Sequence, residues 1–199
     1  SAVHALHLRP DGSLVAGGDA GLMFISVGGA TVTFDKKQGA PFRSVWALEE
    51  GAQGTLFVGT TNGLFWGPLA DFAARRPSLR RASLVSGSLP DDWVTAVLYR
   101  DRALYVGTYN AGVASFRSLG SELLPDAADA ALGYVNPAGL VDLGAGKLAI
   151  ATMDGLRGGA LHRTSVVATR TRDITGLVAA RGGGYFIATR HGLEWTDAL

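Results

Sequence analysis

Leu104-Tyr-Val-Gly-Thr-Tyr-Asn-Ala-Gly-Val113 is written four more times in this chain, as Leu14-Val-Ala-Gly-Gly-Asp-Ala-Gly-Leu22, Leu56-Phe-Val-Gly-Thr-Thr-Asn-Gly-Leu64, Leu148-Ala-Ile-Ala-Thr-Met-Asp-Gly-Leu156 and Tyr185-Phe-Ile-Ala-Thr-Arg-His-Gly-Leu193. The equivalent positions Gly18, Thr60, Thr108, Thr152 and Thr189 are 42, 48, 44 and 37 residues apart. A period near forty residues signals a repeat architecture. Upstream of each copy lies a second recurring piece: Val3-His-Ala-Leu6, Val45-Trp-Ala-Leu48, Val94-Thr-Ala-Val97, Pro137-Ala-Gly-Leu140 and Ile174-Thr-Gly-Leu177. From its last residue to the next piece the distance is eight, eight, seven, eight and eight. Two strands and a tight turn fit that span.

Each run is short, rich in Val, Leu, Phe and Tyr, and bounded by Gly, Asp or Asn, which favours strands over helices. The Asn62-Gly63 and Asp154-Gly155 dipeptides suit type I′ hairpin turns. Polar and apolar residues alternate poorly, as expected when both faces of a sheet are covered. The fold that covers both faces of many small sheets at this period is a β-propeller, in which each four-stranded blade packs on its neighbours. The reading is all-β: a propeller with five recognisable blades of about forty residues, at 3–35, 44–85, 93–124, 136–170 and 174–199. Outer strands are expected near 30–35, 79–85, 121–124 and 164–170, and the fifth blade has none. The third residue of each inner strand is alanine or glycine, attributed here to crowding near the axis.

Ser88-Leu-Pro-Asp-Asp-Trp-Val-Thr-Ala-Val97, continued by Leu104 to Val113, resembles the two-component regulator propeller repeat, roughly L-P-x-x-x-V-T-x-[IL] followed by L-W-[VI]-G-T-x-x-G-[GL]. Blades two and five are weaker copies. Blade one has Gly18 in place of the threonine, and blade four enters through Asn136-Pro137. The resemblance implies a sensory or scaffold role, in the periplasm or outside the cell, often with seven blades and with no catalytic residues. Val3 already begins an inner strand, and no strand is left to complete the fifth blade. The chain is therefore expected to be part of a larger propeller, or one of a pair, with the remainder supplied elsewhere. A closed five-bladed ring is the alternative.

The 199 residues carry 18 basic and 17 acidic side chains, a formal charge of +1, so no overall field gathers nucleic acid or an anionic membrane. No apolar run approaches a spanning helix. The absence of cysteine excludes disulfides, thiolate nucleophiles and cysteine-ligated metals. His4 and His7 lie three apart on a strand, so they face opposite sides and share no metal. Neither a phosphate loop, a dinucleotide fingerprint nor a hydrolase elbow survives inspection. No cofactor and no metal are expected. Glu49-Glu50 and Asp91-Asp92 read as solvated turn residues, and Arg75, Arg76, Arg80 and Arg81 as a solvated loop guarding an outer edge. Residues 126–132 read as a short helix.

Function on such a scaffold rides on loops. The loops entering the inner strands and the second hairpins share one face, around the channel mouth. The candidate ligand-binding residues there are Asp92, Trp93, Tyr109, Asn110, Tyr134, Asn136, Asp154, Asp173, Arg190 and His191, with no catalytic group among them. Asp19, Asn62, Met153, Arg43 and Arg172 flank them. The face suits a protein partner or a small polar ligand. The expected function is non-catalytic recognition or scaffolding. The alternatives are a five-bladed sugar-binding lectin, or a lyase or hydrolase using His4, His191, Asp173 and Arg190.

Overall fold

The structure, a computed structural model, describes every residue except 1, 43, 76, 77, 168–171, 173 and 198. Asp173, Arg43, Arg76 and the end of the expected fourth outer strand lie outside the described residues. Blade one comprises β1 (Val3–Leu8), β2 (Leu14–Gly18), β3 (Gly21–Ile25) and β4 (Thr31–Asp35). Blade two comprises β5 (Val45–Glu50), β6 (Thr55–Thr60), β7 (Gly63–Pro68) and β8 (Arg80–Ala82), with the short helix α1 (Leu69–Ala73) before its outer strand. Blade three is β9 (Val94–Arg100), β10 (Ala103–Thr108), β11 (Val113–Leu119) and β12 (Glu122–Asp129). Blade four is β13 (Val135–Gly144), β14 (Lys147–Thr152), β15 (Gly155–Ala160) and β16 (Arg163–Val167). Blade five has three described strands, β17 (Ile174–Ala179), β18 (Tyr185–Thr189) and β19 (Gly192–Thr196).

Every sheet is an antiparallel meander running from the innermost strand outwards. The five sheets form a five-bladed β-propeller, and all five inner strands line one central channel of about 600 Å³. Four apolar cores lie between consecutive blades. Leu22, Phe24 and Phe34 meet Leu56, Val58 and Phe65 in the first. Phe57, Leu64 and Trp66 meet Leu104, Val106 and Phe116 in the second. Leu98 and Val113 meet Leu148 and Ile150 in the third, and Ala149 and Leu156 meet Leu177 and Ile187 in the fourth. Each fully buried Leu, Val or Phe contributes about 1.5–3 kcal/mol of burial, so these interfaces hold the blades in order.

The small residues of the motif have a different cause from axial crowding. The third residue of each of the first three inner strands pairs with the next-to-last residue of the second strand: Ala5 with Gly17, Ala47 with Gly59, Ala96 with Gly107. The first residue of the next blade docks on that pair. A Cβ on Gly59 would lie 2.6 Å from Val94 Cγ1, and one on Gly107 would lie 2.6 Å from Val135 Cγ1. The alanine–glycine pair is a hole, and the following blade's valine is its knob.

This rule also corrects the entry to blade four. Val135, not Pro137, pairs with Thr152, as Val45 pairs with Thr60. Proline cannot supply a branched knob, so the strand starts two residues earlier. The surplus is absorbed in a bulge where Ala138 takes φ +52°.

The recurrent threonine is explained by the hairpin. Thr60 Oγ1 donates to the Gly63 carbonyl at 2.7 Å and accepts from the Asn62 N–H at 3.1 Å. Thr108, Thr152 and Thr189 donate to the carbonyls of Gly112, Gly155 and Gly192, each at 3.0 Å. The central residues of the blade-two turn are thus Thr61 and Asn62, and the glycine that follows takes φ +118°. Asn62 and Asp154 do not have positive φ, so the expected type I′ turns are not formed there. Asp101-Arg102, at φ +50° and +64°, and Ala145-Gly146, at +50° and +73°, adopt positive φ at both turn positions instead. In blade one a Cβ at Gly18 would run into the Ala2 carbonyl, which accounts for the missing threonine.

Residues 126–129 belong to β12 rather than a helix, and only Ala130–Leu132 forms a 3-10 turn. The outer strand of blade two is three residues long, and α1 was not foreseen. Arg80 donates to the Ser121 carbonyl at 3.0 Å, Arg75 to the Thr33 carbonyl at 3.0 Å, and Arg81 lies over the Phe65 ring. Arg75, Arg80 and Arg81 are exposed, as expected, and each also contacts a neighbour.

Candidate functional site

The hairpin tips and the entries to the inner strands meet at one end of the channel. Here an arc of five rings runs across blades one to four. His4 stacks on Trp46 with centroids 4.2 Å apart and planes 5° from parallel. Trp46 meets Trp93 edge-on at 5.6 Å, and Trp93 stacks on Tyr109 at 4.2 Å and 9°. Tyr109 meets Tyr134 edge-on at 4.9 Å. Stacked and edge-to-face rings at such distances are mutually attractive. The indole nitrogens of Trp46 and Trp93 are buried and have no hydrogen-bond partner among the described residues. A buried N–H without an acceptor is uncommon and costs stability.

The backbone places these rings by local bonds. Asp91 accepts from the N–H of Trp93 at 3.2 Å and from that of Asn110 at 2.9 Å, tying the entry loop of blade three to its hairpin. Tyr109 N–H donates to the Trp93 carbonyl at 2.9 Å. At the blade-one end His4 Nε2 lies 2.6 Å from Asp19. The hydrogen bond from His4, then that from the Ala2 N–H, holds the Asp19 carboxyl below its ordinary range. Burial, then the nearby Tyr109, pushes the Tyr134 phenol up.

Trp93, Tyr109 and Tyr134 of the expected site are brought into one cluster, with Asn110 exposed beside it. Asp92 is half-buried and accepts from the Leu84 N–H at 2.7 Å. Asn136 is buried, and its amide donates to the Ile174 carbonyl of the next blade. Thr95 does the same one blade earlier, donating to the Val135 carbonyl at 2.6 Å. Asp154, Arg190 and His191 stand exposed on the hairpins of blades four and five. His4 and Trp46 were missed as members of the arc. Their shared signal was the second position of the inner strand, where Thr95 and Asn136 bridge to the next blade and the rings stack towards it instead.

The far end of the channel is charged. Glu49 and Glu50 end β5 and are largely buried, so they are not turn residues. Glu49 accepts from the Tyr99 N–H at 3.2 Å and from Arg100 at 3.1 Å, yet burial pushes its carboxyl above the ordinary value. Glu50 pairs with Arg9 at 2.9 Å and lies 3.5 Å from His7, and Arg9 holds it below the ordinary value. Among the described residues no cluster of three or more His, Asp or Glu side chains could hold a metal.

No family model and no curated protein matches the chain. Solved structures do. The extracellular domain of the putative one component system BT4673 from B. thetaiotaomicron matches 98% of this chain with a TM-score of 0.76 and 17% identity. PorZ, a bacterial surface component of the type-IX secretion system of Porphyromonas gingivalis, matches 97% with a TM-score of 0.64 and 13% identity. Virginiamycin B lyase from Staphylococcus aureus matches 98% with a TM-score of 0.66 and 14% identity. The chain spans 27% of the first, 28% of the second and 69% of the third. At such identities the likeness shows the propeller fold and nothing further. Among the described residues no helix is long and apolar enough to cross a membrane.

Proposed function

We propose that this propeller is a non-catalytic recognition or scaffold module, working outside the cytoplasm and binding a protein or a polar ligand on its channel-mouth face. The observation that carries this reading is the five-ring arc, whose two buried indole donors have no acceptor among the described residues. Large rings with few rotamers, next to hydrogen-bonding groups on rigid loops, are typical recognition surfaces. Two of the similar solved structures, an extracellular domain of a one component system and a surface component of a secretion system, support the compartment and the role.

A tryptophan-emission titration of the full chain against peptides and oligosaccharides tests it. A ligand that changes the emission is expected to lose about tenfold or more in affinity on Trp93→Phe or Tyr109→Ala, the size of effect that central aromatic anchors give, and nothing on Trp66→Phe. Binding indifferent to both arc substitutions, or none at all, removes the reading.

The lyase or hydrolase alternative is favoured by Glu49, a largely buried carboxyl whose affinity for its proton is raised, lining the channel with Arg100 and Asp142. Turnover of any panel member that Glu49→Gln abolishes would decide for it.

A further inference from the structure

The segment 83–93 carries the chain from the outer strand of blade two to the inner strand of blade three. Its turn presents two aliphatic side chains to water: Leu84 is 55% exposed and Val85 91%. The turn is firmly braced. The N–H groups of Ser88 and Leu89 both donate to the Ser83 carbonyl, at 3.2 and 3.1 Å, and that of Gly87 donates to the Leu84 carbonyl at 2.9 Å. The bond from the Leu84 N–H to Asp92, the neighbour of Trp93, fixes the tip beside the aromatic arc. From Trp93 the arc leads through Tyr109, 40% exposed, to Tyr134. Tyr134 and Met153, the latter 70% exposed, flank the Val135–Thr152 pair of blade four. Single apolar side chains on a surface need no explanation, but a band of them on a braced scaffold marks an interaction site.

The charge around this band has one sign. The mouth segments 61–62, 83–93, 109–112, 129–134 and 153–154 contain Asp91, Asp92, Asp129 and Asp154 and no Lys, Arg or His, although the whole chain is nearly balanced. The cations of the other mouth loops, Lys36, Lys37, Arg43, Arg170, Arg172 and Arg190, belong to the loop before blade two or to blade five and its entry. Among the described residues none of the four carboxylates has a cationic partner within 4 Å. We propose that this band, on the blade-three and blade-four half of the mouth, docks a basic segment of a partner protein. Apolar side chains of that segment cover Leu84, Val85 and Met153, and its Lys or Arg side chains meet the carboxylates and the Tyr109 ring. This rests on the mouth being a recognition surface, and adds what it recognises. Aliphatic tips offer a sugar no hydrogen bond, and carboxylates repel phosphate chains and anionic lipid, whereas a cationic polypeptide gains from both features. Because the turn is already held in shape, binding adds little ordering cost there.

Selection of a displayed random-peptide library on the immobilised full chain tests it, with the enriched peptides then synthesised and measured by fluorescence anisotropy. They are expected to combine Lys or Arg with aliphatic or aromatic residues. Their affinity should fall about tenfold or more on Leu84→Ser with Val85→Ser, as for loss of a central anchor. It should fall about two- to fivefold on Asp154→Asn, the size of an exposed charge pair, and decline further as salt is raised. Both aliphatic side chains are exposed, so the double variant should melt with the wild type. If it melts early, Val85→Ser alone takes its place. Peptides that lose binding on Trp93→Phe but not on the double substitution would keep the recognition surface and overturn this partner. Indifference to all of these substitutions would remove both. Enriched peptides that are acidic or uncharged, or none enriched over the double variant, would also overturn it. So would a dimer in sedimentation that the double substitution dissociates, which would make a second copy of the chain the occupant.

Discussion

Trp66 and Trp195 hold the same place in blades two and five, two residues beyond the first leucine of the third strand. Trp66 lies in the core between blades two and three and donates to the Ser121 carbonyl at 2.9 Å, whereas Trp195 lies on the open flank of blade five. The same residue in the same repeat position is a structural anchor in one region and an uncovered surface in the other. What differs is only whether a blade follows. Stability in this fold belongs to the interfaces between repeats more than to the repeats themselves.

The largest expected contrast is between these two side chains. Trp66→Ala should cost about 3–5 kcal/mol, as truncation of a buried aromatic does, and Trp195→Ala within about 0.5 kcal/mol, both read from urea unfolding of the chain. Equal losses would break the comparison. Next come the holes. Gly107→Ala forces a methyl against Val135 and should cost about 1–3 kcal/mol, whereas Ala188→Val meets no knob and should leave the thermal midpoint nearly unchanged. A smaller contrast concerns the hairpin brace. Thr152→Val should lose about 1 kcal/mol, the net value of a buried hydrogen bond, and Thr189→Val, near the open flank, less.

The smallest effect is in pH. Burial raises the Glu49 carboxyl above the ordinary 4.5, so the stability it contributes is present below that value and is lost as pH rises through its folded value. Glu50 is lowered by Arg9, so its contribution is present above 4.5 and is lost as pH falls through its folded value. Glu49→Gln should therefore remove part of the decline on raising pH, and Glu50→Gln part of the decline on acidification. Melting curves across the acid range would check both, and identical profiles for the two variants would contradict the assignment.

Much of the fold was legible because the repeat writes its interface rule five times. Strand order, blade count and the shared face of the hairpins follow from spacing alone. What spacing could not show was which neighbour each small residue accommodates, since knob and hole lie on different blades. The surplus residues around Pro137 hid the true knob, Val135, for that reason. The turn type was misjudged because a threonine two residues upstream, not the Asn-Gly pair, sets the backbone. At the mouth, Trp93, Tyr109 and Tyr134 were found as unrepeated loop residues. His4 entered only with the lyase or hydrolase alternative and Trp46 not at all, because they occupy a strand position, and stacking between rings about forty residues apart leaves no local trace in the chain.

The direction of the knob-and-hole contact bears on how the molecule is made. Val45, Val94, Val135 and Ile174 each insert backwards, into a cleft built from residues already synthesised. A ribosome delivering the chain from its amino end thus completes every receptor before its plug emerges. The propeller can grow one wedge at a time, with only the most recent wedge uncovered.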